Sequence, residues 1–190
     1  MPSQSLGRLE IICGPMFSGK TTELIRRIES ARELGFTTLA IKPTTDTRYA
    51  QKELVTHTGQ RIQAFAALNA AEILTLVGDF PNVENRKIIA IDEAHFFGEE
   101  LSQVCATLMS EGSRIIVVGL EFDHRGDVFE PFPSLFPLSN DTTRLVGVCA
   151  LCGNKAIHTQ RMIANSQRIV VGGVGDYQPR CEKCFVPSRG

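Results

Sequence analysis

The sequence predicts an α/β fold: a parallel sheet flanked by helices, followed by a small module clasped by cysteines. Three observations carry this. Short apolar runs alternate with stretches of helical period, the pattern of strand–helix–strand units joined by crossovers. The first apolar run leads into GPMFSGKT at 14–21, a glycine-bounded turn between a strand and a helix. Four of the six cysteines stand as two Cys-x-x-Cys pairs, Cys149 with Cys152 and Cys181 with Cys184.

Taken in order, RLEIIC at 8–13 is a buried strand that stops at Gly14. Leu24, Ile28, Ala31 and Leu34 then recur at helical spacing, and Gly35 ends that helix. TTLAIKP at 37–43 is a second strand, closed by Pro43. The polar stretch 44–60 reads as a long irregular loop, RIQAFA as a short strand, and 69–77 as a helix. KIIAI at 87–91 is a strand with two acids just beyond it. Leu101, Val104, Cys105 and Leu108 form a helical stripe ended by Gly112, and 114–120 is another buried strand. After a second long loop over 121–140, TTRLVGVC reads as a final core strand leading to the first cysteine pair. Between the pairs, AIHTQRMI and RIVVGG look strand-like.

Composition bounds the rest. The 190 residues, 43% hydrophobic and 22% charged, suit one domain with a full core plus an annex. The predicted boundary divides 1–145, a phosphate-loop nucleotide-binding domain, from 146–190, the cysteine module. No run approaches the ~20 apolar residues of a membrane span, and the N-terminus lacks a basic region followed by an apolar one. A cytoplasmic protein with no membrane partner is therefore expected. The net charge of −1 by itself says nothing about a polyanionic partner, and 146–190, with six Lys/Arg against two Asp/Glu, leaves a nucleic-acid reading open for the C-terminal part.

The chemistry starts at the turn. Gly14, Pro15, Met16, Phe17, Ser18, Gly19, Lys20 and Thr21 have the spacing G-x-x-x-x-G-K-T of a phosphate-binding P-loop. Its glycines let backbone N–H groups turn toward phosphate oxygens, and the following helix adds its positive N-terminal end. Lys20 would reach the β- and γ-phosphates, and the Thr21 hydroxyl would bind Mg²⁺. Strands of open α/β sheets carry their ligands at their carboxyl ends, so Asp92 and Glu93 should face this loop. Asp92 suits the Mg²⁺ shell, and Glu93 could orient a nucleophile and accept its proton. That nucleophile is either water, giving an ATPase, or a substrate hydroxyl, giving a kinase. Cys149, Cys152, Cys181 and Cys184 together make a closed, structural Zn²⁺ shell, holding the chain between the pairs as a loop. Cys13 and Cys105 read as core residues.

The motifs GPMFSGKTTEL, KPTTDTRY, IDEAHFF, HRGDVF, the two cysteine pairs and VVGGVGDYQPRC occur in an order that resembles the zinc-containing thymidine kinases of cellular and bacterial type, over about 7–185. The resemblance implies a P-loop NTPase-type fold and ATP-dependent phosphorylation of the thymidine 5′-hydroxyl, with Glu93 as general base. It implies that the segment of Asp46 and Arg48 lies near the phosphates, with Arg48 steadying the transferred charge. It makes the inter-cysteine chain a lasso over the nucleoside. It assigns nucleoside packing to Met16, Phe96, Leu120, Phe129, Thr159, Val170 and Tyr177. It also implies a homotetramer inhibited by dTTP. Departures from the family pattern are His124 for an aromatic, usually Phe, with its flat face retained for the base; His95 for Gln; Glu121 for Asp; and Val128 for Pro. The competing reading is a nucleic-acid-dependent P-loop ATPase gripping through its basic zinc module; the chain carries no obvious nucleic-acid motif, and no nucleic-acid partner is expected.

Overall fold

The computed structural model describes residues 7–44, 53–55, 59–81, 87–164 and 167–187. Alternating short apolar runs and amphipathic stretches become β1 (Arg8–Cys13), α1 (Lys20–Glu33), β2 (Thr37–Pro43), β3 (Glu53–Val55), β4 (Arg61–Gln63), β5 (Phe65–Ala67), α2 (Ala70–Asp79), β6 (Lys87–Ile91), α3 (Glu100–Ser110) and β7 (Arg114–Gly119). There follow α4 (Phe132–Leu135), β8 (Asp141–Arg144), β9 (Gly147–Val148), β10 (Lys155–Ala156), β11 (His158–Arg161) and β12 (Tyr177–Arg180). Six strands pair in the order β5-β2-β6-β7-β1-β8, every pair parallel.

Both faces of the sheet are covered, which is why its strands read as continuous apolar runs. Alternation still sorts the side chains. Leu9, Ile11, Cys13, Ile89, Ile91, Ile115 and Val117 pack on one face under α2 and α3, with Ile73, Leu101, Val104, Cys105 and Leu108. Ile12, Ala40, Ile88, Ala90, Ile116 and Val118 pack on the other under α1, with Leu24, Ile25, Ile28 and Ala31. Each fully buried Leu or Ile contributes roughly 1.5–3 kcal/mol. An Ile28→Ala change, at the centre of the α1 stripe, would cost about 2–5 kcal/mol. α2 begins at a reciprocal cap: Asn69 Oδ1 accepts from the Glu72 N–H at 3.0 Å, and Glu72 Oε2 accepts from the Leu68 N–H at 2.6 Å.

Several expectations need correction. Leu34 lies one residue past the end of α1 and is exposed, whereas Ile25 takes the buried place. The stretch 44–60 contains β3, which pairs with β4 as a small antiparallel hairpin whose Leu54 and Ile62 cover the α1 side of the core. RIQAFA is two strands in two sheets, since β4 joins that hairpin and β5 the edge of the main sheet. The loop 121–140 contains α4 and a following 3-10 turn, through which Phe132 and Leu135 enter the core. The final strand is no core strand: β8 is a partly exposed edge paired to β1, and the apolar LVGV leaves the sheet. The Leu145 N–H still donates to the Cys13 carbonyl at 2.8 Å, and Gly147 then pairs with Ala156 in a separate ribbon. RIVVGG forms no strand among its described residues; its backbone is held by side chains instead.

Candidate active site

At the end of β1 the chain has to reverse into α1 within a few residues. Gly14 adopts φ 152°, and a Cβ there would stand 2.4 Å from the Leu145 carbonyl oxygen, so a side chain is excluded by the strand-to-module crossing. Gly19, at φ 82°, turns the chain into the first helical residue, Lys20. Between them Phe17 holds the left-handed region at φ 63°, a conformation costing a non-glycine residue roughly 1–2 kcal/mol. Ser18 Oγ donates to the Pro15 carbonyl at 2.8 Å, and Lys20 Nζ donates to the same oxygen at 2.7 Å. Lys20 is thus stowed against its own loop. Burial lowers the Lys20 pKa, while the negative charges of Glu93 and Asp92 favour its ammonium form.

The acids at the end of β6 meet this loop. Thr21 Oγ1 donates to Asp92 Oδ2 at 3.0 Å. Neighbouring oxygens in an octahedral Mg²⁺ shell also stand roughly 3 Å apart, so the Thr21–Asp92 pair fits that cation in spacing and in donor type. Asp92 Oδ1 accepts from the Glu93 N–H at 2.9 Å, and the Asp92 N–H donates to the Ile41 carbonyl at 2.9 Å. Glu93 itself sits at φ 51°, ψ 41°, a left-handed turn that swings its side chain out of the strand's line. Burial first, and then the Glu93 charge, raise the Asp92 pKa; burial also raises that of Glu93, against the pull of Lys20. The Glu93 side chain is 46% exposed, but to a walled cleft, which still strips much of its water.

That cleft has a volume of about 710 Å³, room for a nucleoside-sized ligand. Met16, Phe96, Leu120, His124, Phe129, Thr159, Val170 and Tyr177, scattered over 162 positions of sequence, all line it, together with Lys20, Thr21 and Glu93. One end is therefore the phosphate loop and the other is mainly apolar, with Glu93 on the shared wall. Asp46 and Arg48 lie outside the described residues.

The wall over the apolar end is the segment 167–173, which carries no strand pairing and is pinned from three sides. Arg161 donates through Nη1 to the Gln167 carbonyl at 2.6 Å and through Nη2 to the Arg168 carbonyl at 2.9 Å. Tyr177 gives its hydroxyl proton to the Val170 carbonyl at 2.7 Å. Arg168 Nε reaches Asp123 Oδ2 at 2.8 Å, with its guanidinium 5.1 Å from the Phe129 ring centre. Arg161, Arg168 and Asp123 were not visible as site residues in the sequence, because 45 positions separate the latter two. The Thr159 hydroxyl, expected at the nucleoside, also accepts from the Met16 N–H at 2.9 Å.

At the base of this segment the Sγ atoms of Cys149, Cys152, Cys181 and Cys184 lie within 4.8 Å of one another. A tetrahedral Zn²⁺ with Zn–S near 2.3 Å places its sulfurs about 3.8 Å apart, so these four thiols fit that ion. Each pair sits on a tight turn: the Gly153 N–H donates to the Cys149 carbonyl at 2.9 Å, and the Cys184 N–H to that of Cys181 at 3.0 Å.

The family described as "Thymidine kinase" matches residues 7–185. The chain belongs to the thymidine kinase family. A protein named thymidine kinase from Rhodothermus sp. (strain ITI 518) is 38% identical over 185 residues, covering 97% of this chain and 84% of that one. Another of that name from Bacteroides thetaiotaomicron is 35% identical over 184 residues, covering 97% and 89%. A more distant likeness, the genome packaging NTPase B204 from Sulfolobus turreted icosahedral virus 2 in complex with ATP-gammaS, has a TM-score of 0.45 at 11% identity over 86% of this chain and 79% of that one.

Two histidines, His95 and His124, line the cleft of this thymidine kinase family member. His124 is buried in the cleft wall, and among the described residues neither ring nitrogen has a hydrogen-bond partner. Burial, and after it the nearby Arg161 charge, lower its pKa. His95 lies beneath Glu93, its ring centre 4.4 Å from that of Phe96 and 5.2 Å from that of Phe129.

Proposed function

We propose that this protein transfers the γ-phosphate of ATP to the 5′-hydroxyl of thymidine, giving dTMP and ADP. The observation that carries this reading is the single cleft: the phosphate loop, the Glu93 carboxylate and a pocket walled mainly by apolar and aromatic side chains open into one volume. An ATPase needs no such pocket beside its base. A neutral nucleoside, with a flat apolar base, does.

Lys20 leaves the Pro15 carbonyl and follows the β- and γ-phosphates, while loop N–H groups and the α1 terminus hold the remaining oxygens. Mg²⁺, held by Thr21 and Asp92, would neutralise phosphate charge when bound. Glu93 accepts a hydrogen bond from the 5′-hydroxyl and turns that oxygen toward the γ-phosphorus. Under a loose transition state it takes the proton late, so a carboxylate suffices. Met16, Phe96, Leu120, His124, Phe129, Val170 and Tyr177 wall the nucleoside. The segment 167–173 keeps water from the terminal phosphate, limiting wasteful hydrolysis. The Zn²⁺ that the four cysteines would hold is structural, since a closed thiolate shell leaves no position for water.

The same proposal divides the chain into a kinase domain at 1–145 and a lasso domain at 146–190. The separate ribbons formed beyond Leu145 support that division. It assigns Asp46 and Arg48 to the phosphates, and extends to dTTP as an end-product inhibitor, a homotetramer and a cytoplasmic location. Among the described residues no helix is long and apolar enough to cross a membrane. The nucleic-acid-dependent ATPase is not favoured, because the family match spans both the loop and the cysteine module. ATP consumption measured with thymidine, with single-stranded DNA and with neither tests the reading. Stimulation by thymidine alone supports it, and stimulation by DNA alone overturns it.

A further inference from the structure

We propose that His95 is a positioning residue for Glu93, fixing one carboxylate oxygen through the Nε2–H of a neutral imidazole. The proposal rests on the reading of Glu93 as the base. Glu93 has a specific difficulty. Its left-handed backbone projects the carboxylate into the cleft, and apart from His95 no hydrogen-bond donor or cation is within bonding reach of that carboxylate among the described residues. Left alone, it would sample rotamers that do not face the substrate hydroxyl, and a misplacement of about 1 Å can cost a reaction 100-fold.

His95 is placed to prevent this. The ring is buried, clamped between Phe96 and Phe129, and pressed onto Gly119, where a Cβ would stand 3.2 Å from His95 Nδ1. The Leu120 N–H points at Nδ1 from 3.4 Å, and a backbone N–H is donor only, so Nδ1 must accept. The ring proton is then on Nε2, and Nε2 lies 3.5 Å from Glu93 Oε2. Both contacts are long in the ligand-free protein, as catalytic hydrogen bonds often are before substrate tightens them. Burial and the Lys20 charge push the His95 pKa down to about 3, which keeps the ring from competing for the substrate's proton. The relay runs from the Leu120 backbone through a locked tautomer to the base. Leu120 also lines the nucleoside end of the cleft, so the pocket wall and the base share one rigid support.

The test compares steady-state thymidine phosphorylation by wild type, His95→Phe, His95→Gln, Glu93→Gln and the Glu93→Gln/His95→Phe double variant. Phe keeps the ring contacts and removes both nitrogens; Gln restores a neutral donor. His95→Phe should lower kcat about 10- to 100-fold with both KM values within about threefold, and His95→Gln should recover most of that loss. The double variant should be no slower than Glu93→Gln. Unchanged kcat in His95→Phe, or equal losses in Phe and Gln, overturns the positioning role. Full activity in Glu93→Gln overturns instead the reading beneath it. Imidazole ¹⁵N shifts of wild type give a readout that no variant's folding can spoil: a protonated Nε2 with bare Nδ1 is expected, and the opposite tautomer refutes the proposal.

Discussion

The main-chain N–H of Met16, in the phosphate loop, donates to the hydroxyl of Thr159, in the cysteine-clasped module, at 2.9 Å across 143 positions of sequence. The phosphate-loop end and the module end of the cleft are thereby in direct contact. Thr159→Val keeps the shape and leaves the partly buried Met16 N–H without its partner, at a cost of about 1 kcal/mol. ATP and thymidine affinities should both weaken about five- to tenfold, measurable as KM for each. A change confined to thymidine would show that the bond does not couple the two ends.

His124 carries two buried ring nitrogens without partners among the described residues. His124→Phe replaces them with carbon in the same flat outline. The ligand-free protein should gain about 1 kcal/mol, raising Tm by about 2–4 °C. A lowered Tm in a melting experiment would show that the nitrogens are satisfied.

The four thiols at the base of 167–173 should link metal to substrate rather than to the sheet. Chelation should abolish thymidine binding while the sheet's far-ultraviolet dichroism persists, because both faces of the sheet have their own cores. Thymidine binding unchanged in metal-free protein would separate the lasso from the zinc site.

Stability at acid pH should depend on Glu10, at the N-terminal half of β1. Burial alone would raise its pKa, but hydrogen bonds from Arg114 at 2.7 Å and Arg27 at 2.9 Å outweigh burial and leave it lowered. A carboxyl depressed in the folded state stabilises above its unfolded value near 4.5, and that stability is lost as pH falls through the folded value. Glu10→Gln should cost about 2 kcal/mol at pH 7 in urea titrations, with the gap closing well below pH 4.5. A gap independent of pH would mean that the charge is idle.

The parts legible in the sequence were those where one local run fixes one local structure. The P-loop lies between an apolar strand and an amphipathic helix, Asp92 and Glu93 end an apolar run, and each Cys-x-x-Cys needs a single turn. The hairpin of β3 and β4 was hidden because each strand buries one side chain, Leu54 or Ile62, too few to set a period. β8 was misjudged because the apolar LVGV after it outweighed the polar DTTR that pairs. The Arg168–Asp123 latch and the Leu120–His95–Glu93 relay join residues from separate loops, and no local pattern announces them. His95 stood out as a departure, but its contacts come only from the packing of Phe129 and Gly119 around it.

The central claim is that Glu93 accepts the proton of the thymidine 5′-hydroxyl. Rapid-quench measurement of dTMP formation by Glu93→Gln, with ATP affinity measured alongside, tests it most directly. The rate should fall by about 10²- to 10⁴-fold with ATP binding retained. Formation of dTMP at close to the wild-type rate would contradict the account.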